Sequence, residues 1–284
     1  MNNFISYNQY KKQSVLNETY ESFRELESVA KIIYKKFAKF FLFRSRQGVI
    51  YPFKKFIDKK FSIIQDFIDN GNIGILYVKI NPDKNSGVKA CFVPKKSLGA
   101  FSNTTEDQKK LLNKYNGIIV IYSMNYISIL HELQHAYDYY KSNGKFYNNK
   151  KVLQFHNMEK PVSNPAFKGH NKEELEQQID GYLKKLHRYM FTYSSTPVEL
   201  SAFFIQTITN LEFFIDAGKQ GIYFRDIHLL WDEFKEKYQN YDILTPKIKK
   251  DLARKFSQYY HKIKDEYADR VKVYDKYVSE RDKK

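Results

Sequence analysis

The 284-residue sequence contains a single cysteine, Cys91. One thiol cannot form an intramolecular disulfide, and nothing in the cysteine usage points to an oxidising compartment. Long hydrophobic runs are also missing. No window reaches eighteen uncharged apolar residues, and the stretch from Met1 to Tyr7 lacks an apolar core of signal-peptide length. The expectation is a soluble protein with no transmembrane segment and no secretion signal, cytoplasmic or virion-associated. Acidic residues are scarce as well: 32 Asp and Glu face 48 Lys and Arg, a formal charge of +16. The excess is uneven, with ten basic residues against Asp58 alone between 31 and 60, and thirteen against seven between 245 and 284. Such surfaces predict weak binding of nucleic acid or another polyanion. Solvated outer faces of amphipathic helices explain the same charge and are the preferred reading, because no nucleic-acid-binding motif accompanies it.

Aromatic residues are plentiful at 17%, almost all Tyr and Phe, which excludes a disordered chain despite the charge. The length allows one large domain or two smaller ones with a substantial core. From Glu18 to about Phe43, Phe23, Leu26, Ala30, Ile33, Phe37 and Phe40 recur at helical spacing. After Pro52, the spacing of Phe53, Phe56, Ile57, Phe61, Ile64, Phe67 and Ile68 predicts a second helix ending at Asn70-Gly71, and so an N-terminal helical hairpin over 1–70. Residues 73–80, 88–93 and 118–122 are β-branched runs expected to form one small sheet, with a short helix over 105–115 before the last of them. Helices follow at about 172–191, 197–217 and 223–238, and a long amphipathic helix begins at Thr245-Pro246. This order predicts an α+β protein, mostly helical with a small sheet: a central domain over 71–217 carrying that sheet, and a C-terminal helical region over 218–284.

Against that background one motif stands out, His131-Glu132-Leu133-Gln134-His135-Ala136-Tyr137-Asp138. With seven histidines in the chain, a chance H-E-x-x-H has a probability of about one in a hundred. On a helix, His131 and His135 share a face and can direct two neutral imidazoles at one metal ion, with Glu132 beside them to accept a proton from the water that the metal activates. Asp138 lies one turn past His135, where it could orient a histidine from behind. The strand before the motif and the apolar positions Ile129, Leu130, Leu133 and Ala136 supply the rigid back that such a helix needs. Ser123 or Asn125 would cap its start, and Gly144 would end it.

Two histidines do not complete a catalytic zinc site. Glu199, in Thr196-Pro197-Val198-Glu199-Leu200-Ser201-Ala202, is a candidate third ligand in the first turn of a later helix. Thr-x-x-Glu with proline at the first helical position is equally a capping box, in which Glu199 would bind backbone and nothing else. His156, His170 and His228 are further candidates for the open position.

His-Glu-x-x-His-Ala-x-Asp followed some sixty residues later by Glu-x-x-Ala resembles the gluzincin class of zinc metallopeptidases, most closely the anthrax lethal factor type. The resemblance spans about 117–210. It implies a zincin-like domain binding Zn2+ through His131, His135 and Glu199, with Glu132 as general base. It also implies a tyrosine that stabilises the oxyanion, for which Tyr193 is the match, its six-residue spacing before Glu199 being one short of the family's. The activity implied is hydrolysis of a protein or peptide substrate. Domains of this class occur in phages, bacteria and toxins, so a toxin-like effector protease, or a structural or virion-associated protein that keeps the fold and binds nucleic acid or a protein partner, are the alternatives.

Overall fold

The computed structural model describes residues 19–43, 49–78, 89–95, 97, 113–145, 154, 158–159, 161, 165–167, 171–216, 227–266 and 268. Helix α1 (Tyr20–Phe43) starts where Thr19 accepts from the Ser22 N–H through its Oγ1 (3.2 Å). It buries Phe23, Leu26, Ala30, Ile33 and Phe37 as the spacing predicts, and Val29 with them.

The second arm of the expected hairpin is not a helix. Ile50–Pro52 forms strand β1, Phe53–Phe56 a single 3-10 turn, and only Gln65–Asn70 is helical, as α2. Phe53, Ile64, Phe67 and Ile68 are buried, and Phe56, Ile57 and Phe61 pack half-buried against the same core, so the hydrophobic spacing was real. What it could not reveal is where the backbone finds its hydrogen bonds. Glu25 of α1 accepts from the N–H groups of Ser62, Ile63 and Ile64 (2.9 Å each) and from the Ser62 hydroxyl (2.6 Å), satisfying an irregular turn from outside.

The sheet has strand order β1-β2-β4-β3, with β2 (Ile73–Tyr77), β3 (Ala90–Pro94) and β4 (Gly117–Ile121). β2 and β4 are parallel, pairing Ile73 with Gly117 through Tyr77 with Ile121, while β1 and β3 run antiparallel at the two edges. β4 is buried along its whole length, which explains its uninterrupted apolar sequence. Ile119 and Ile121 face the main core, whereas Ile118 and Val120 pack on the opposite face with Tyr115. A Cβ on Gly117 would lie 2.4 Å from the Phe92 ring, so glycine is what lets β3 bring that ring across β4. The helix expected over 105–115 lies largely outside the described residues, and 113–116 form a turn.

Helix α3 (Tyr126–Lys141) follows β4. Asn125, rather than Ser123, is its cap, accepting from the N–H groups of Ile127 (2.9 Å) and Ser128 (3.3 Å). It ends at Ser142, after which Asn143 (φ 49°) and Gly144 (φ 73°) turn left-handed and the Gly144 N–H returns to the Tyr139 carbonyl (2.8 Å). Helices α4 (Lys172–Ser194), α5 (Pro197–Asp216), α6 (Ile227–Lys237) and α7 (Pro246–Glu266) complete the described chain.

α5 is buried on nearly every side, through Leu200, Ala202, Phe203, Phe204, Ile205 and Ile208, as befits a central helix. α7 closes the molecule against α1: Tyr20 meets Tyr259 edge to face at 5.2 Å, and Arg24 Nε donates to Glu266 (3.0 Å). One continuous apolar cluster takes in residues from α1, the sheet, α3, α5, α6 and α7. No described helix is long and apolar enough to cross a membrane.

Burial pushes the Glu25 carboxyl up, but its four hydrogen bonds together outweigh this and hold it below its ordinary value of 4.5. A depressed carboxyl contributes stability above its unfolded pKa, and that contribution is lost as pH falls through the folded value. Glu25→Ala should therefore cost about 2 kcal/mol at pH 7 in urea denaturation. The gap between wild type and variant should shrink below pH 4; a gap independent of pH would refute the cap.

Candidate metal centre

His131 and His135 lie one turn apart on α3, and Glu199 enters from the first turn of α5, which packs across α3. All three are buried, at 7%, 6% and 9% exposure. The two histidine Nε2 atoms are 3.1 Å apart; His131 Nε2 lies 3.4 Å from one Glu199 oxygen and His135 Nε2 3.5 Å from the other. One ligand atom from each residue falls within 4.8 Å of the others.

These separations suit a cation. Ligands at the usual zinc distances, placed at tetrahedral corners, are about 3.3 Å from one another. Two facing imidazole nitrogens at 3.1 Å repel unless something positive lies between them, and Glu199 Oε2 is buried without a hydrogen-bond partner. The donor set therefore fits a small divalent ion bound by two nitrogens and a carboxylate. Electrostatics agree. Burial acts most strongly on Glu199 and pushes its carboxyl up, yet the imidazoles of His135 and His131 outweigh it and hold the group well below the usual range. Burial likewise pushes His135 down, but the Glu199 charge first, then Glu132 and Asp138, raise it to about 9. A proton on His135 and a cation between the same atoms are competing answers to one buried negative charge.

The capping-box alternative for Glu199 resolves by division of labour. Thr196 Oγ1 accepts from the Glu199 N–H at 3.4 Å, so the threonine half of the box forms. The Thr196 N–H instead donates to the Tyr193 carbonyl at 3.0 Å, leaving the Glu199 carboxylate to face the histidines. The tight α4–α5 turn is braced from the turn just after α6, where Tyr238 donates to the Leu200 carbonyl (3.3 Å) and Asn240 to Ser194 Oγ (2.8 Å).

That turn also brings Tyr193 to the centre. Its hydroxyl is hydrogen-bonded to Glu199, and burial, then the Glu199 and Glu132 charges, push it far above the ordinary tyrosine value. Glu132 is buried at 8%, and its Oε2 accepts from the Phe92 N–H of β3 at 2.6 Å. Asp138 accepts from Gln134 Nε2 at 2.9 Å; burial raises its carboxyl to about 6, and it acts on His135 through charge. His228 is exposed on α6 and does not join the group, while His156 and His170 lie outside the described residues.

Two contributors were not anticipated from the sequence. One is the Phe92 backbone N–H, which no side-chain pattern announces. The other is Gln206, whose Oε1 lies 2.9 Å from His131 Nδ1. An amide oxygen only accepts, so Nδ1 carries the proton and Nε2 turns its lone pair toward the centre. Gln206 lies seven residues after Glu199, two turns along the same face of α5, and that spacing was the available signal.

In comparisons with known proteins, no family model matches the chain, no curated protein matches it, and no solved structure matches it.

Glu199→Ala removes one of three ligand groups and should lower divalent-metal affinity by orders of magnitude, whereas Thr196→Ala should cost about 1 kcal/mol of stability and leave metal content intact. Metal analysis and calorimetric titration of both variants distinguish the roles; equal retention in both would remove Glu199 from the ligand set. Gln206→Leu should weaken metal binding by about 10–100-fold, the usual cost of losing the partner that orients a ligating histidine. Unchanged affinity would leave Gln206 as packing alone.

Proposed function

We propose that this chain is a zinc-dependent peptide-bond hydrolase of the gluzincin type. The observation that carries the reading is the convergence of His131, His135 and Glu199 from two crossed helices, with Glu132 next in sequence to the first ligand. A two-imidazole, one-carboxylate set that leaves a coordination position open is the donor set of catalytic zinc. When bound, the ion supplies Lewis acidity, which makes water acidic near neutral pH and polarises a carbonyl oxygen.

The residues of the chain do the rest. Phe92 N–H engages Oε2 of Glu132, which leaves Oε1 to accept the proton from the attacking water and then pass it to the leaving amine. Tyr193 keeps its hydroxyl proton at neutral pH and, released from Glu199, would donate it to the carbonyl oxygen on which negative charge builds. Gln206 holds the His131 tautomer, and the charge of Asp138 favours a polarised His135 ring. A second reading, a binding protein for polyanions, draws on the +16 charge and on Lys54, Lys55, Lys59 and Lys60, all exposed beside the 3-10 turn.

The test is metal analysis of the purified protein together with cleavage of a mixed-peptide pool. Glu132→Gln retains the shape of the side chain and an oxygen for the Phe92 N–H but cannot take the proton. It should keep the metal and lose turnover by about 10²–10⁴-fold. No bound divalent ion at neutral pH, or undiminished turnover in Glu132→Gln, would defeat the reading. Salt-sensitive retention on DNA without any cleavage would favour the second.

A further inference from the structure

A cavity of about 380 Å³ opens beside the metal centre, bounded by both His131 and Glu132. Its position makes it the natural seat for a substrate group next to the reacting bond, and the inference drawn from it rests on the hydrolase reading above. Its walls come from three elements: Lys89 and Ala90 at the start of β3, Asn125, Ile127 and Ser128 at the start of α3, and Gln206 with Asn210 on α5.

Two amides on these walls have their oxygens spoken for and keep donors to offer. Asn125 spends its side-chain oxygen on the Ile127 and Ser128 N–H groups, so what it has left is its NH2. Gln206 spends its oxygen on His131 and likewise keeps only its NH2. Lys89, exposed at the same rim, has no acidic partner among the described residues. Ser128 and Asn210 add a hydroxyl and a third amide. Among the described lining residues the only acid is Glu132, one oxygen of which is engaged by Phe92 N–H and the other assigned to the chemistry. A wall that offers the NH2 groups of Asn125 and Gln206 beside Lys89 is complementary to an acceptor, and with Lys89 present to a negative one.

The neighbouring strand strengthens the case. Among the described strands β3 is an edge, and its outward-facing backbone belongs to residues 90, 92 and 94, since Phe92 N–H turns away from β4 to Glu132. Of the N–H groups on that edge, Phe92's is taken and Pro94 has none, so a substrate adding as a further strand finds a single donor, at Ala90, beside the carbonyls of the three residues. Selection then falls on side-chain chemistry at the Lys89–Ala90 end, where the cavity lies.

We propose that this cavity is a specificity pocket for the carboxylate side chain of an acidic residue flanking the bond to be cut, with Lys89 as its charge partner and the NH2 groups of Asn125 and Gln206 as its hydrogen-bond donors. The test uses full-length zinc-loaded protein and fluorogenic peptides that differ only in carrying Glu or Lys at each position around the cleaved bond. At one flanking position the Glu peptide should be preferred by at least about tenfold in kcat/KM, and Lys89→Glu should reverse that preference while metal content stays the same. Equal cleavage of the two peptides by wild type, or a preference unmoved by Lys89→Glu, overturns the pocket.

If no peptide is cut, the hydrolase reading fails, and binding decides the pocket separately. Labelled Glu and Lys peptides are titrated against wild type and Lys89→Glu by fluorescence anisotropy. Binding of the Glu peptide that Lys89→Glu abolishes upholds an acidic-peptide site; binding that ignores the charge at either partner refutes it.

Discussion

The centre depends on burying a carboxylate between two imidazoles. Glu199 is about nine-tenths removed from water, and an isolated charge there would be costly enough to disfavour the fold. The imidazoles of His131 and His135 offset that cost, and the offset requires α5 to cross α3 closely. Ala202, one turn after Glu199 and fully buried, keeps the crossing tight. The ligand geometry and the helix packing are thus one constraint, and the brace from Tyr238 and Asn240 onto the α4–α5 turn holds the first turn of α5 in place.

The sheet answers a different need, aiming the Glu132 carboxylate. Phe92 can present its N–H to Glu132 because β3 is an edge strand and residue 92 faces outward in its register with β4. The same residue lays its ring over Gly117, where a larger residue would push the strand away. One position therefore couples strand spacing to the position of a carboxylate on α3. Gln206 does the comparable service from the other side, joining α5 to His131 a second time, two turns beyond the ligand.

The periodic parts of the fold were legible in the sequence because a helix buries a stripe and a central strand buries everything. α1, α3, α4, α5 and α7 start or end within a few residues of where caps and spacing place them, as the Asn125 cap and the Thr245-Pro246 start illustrate. The segment from Phe53 to Ile64 was not legible. Its apolar spacing matches a helix, yet the backbone N–H groups of Ser62, Ile63 and Ile64 are satisfied by Glu25, some forty residues earlier, and no local pattern encodes a cap supplied from another element.

At the candidate centre, His131, Glu132 and His135 follow from the sequence alone, since a four-residue spacing on one helix determines a shared face whatever the rest of the chain does. Glu199 did not. Its local sequence encodes a capping box as well as a ligand, and the choice turns on whether its carboxylate meets backbone or imidazole, a matter of how α5 crosses α3. Tyr193, Gln206 and the Phe92 N–H belong to the same category. Each acts across elements distant in the chain or through a backbone group whose direction depends on strand register. Sequence thus determined which residues share a helix face and can bind, and tertiary packing alone decided which groups from other elements complete, orient and border the centre, because contacts between elements depend on crossing angle and register, which local spacing does not carry.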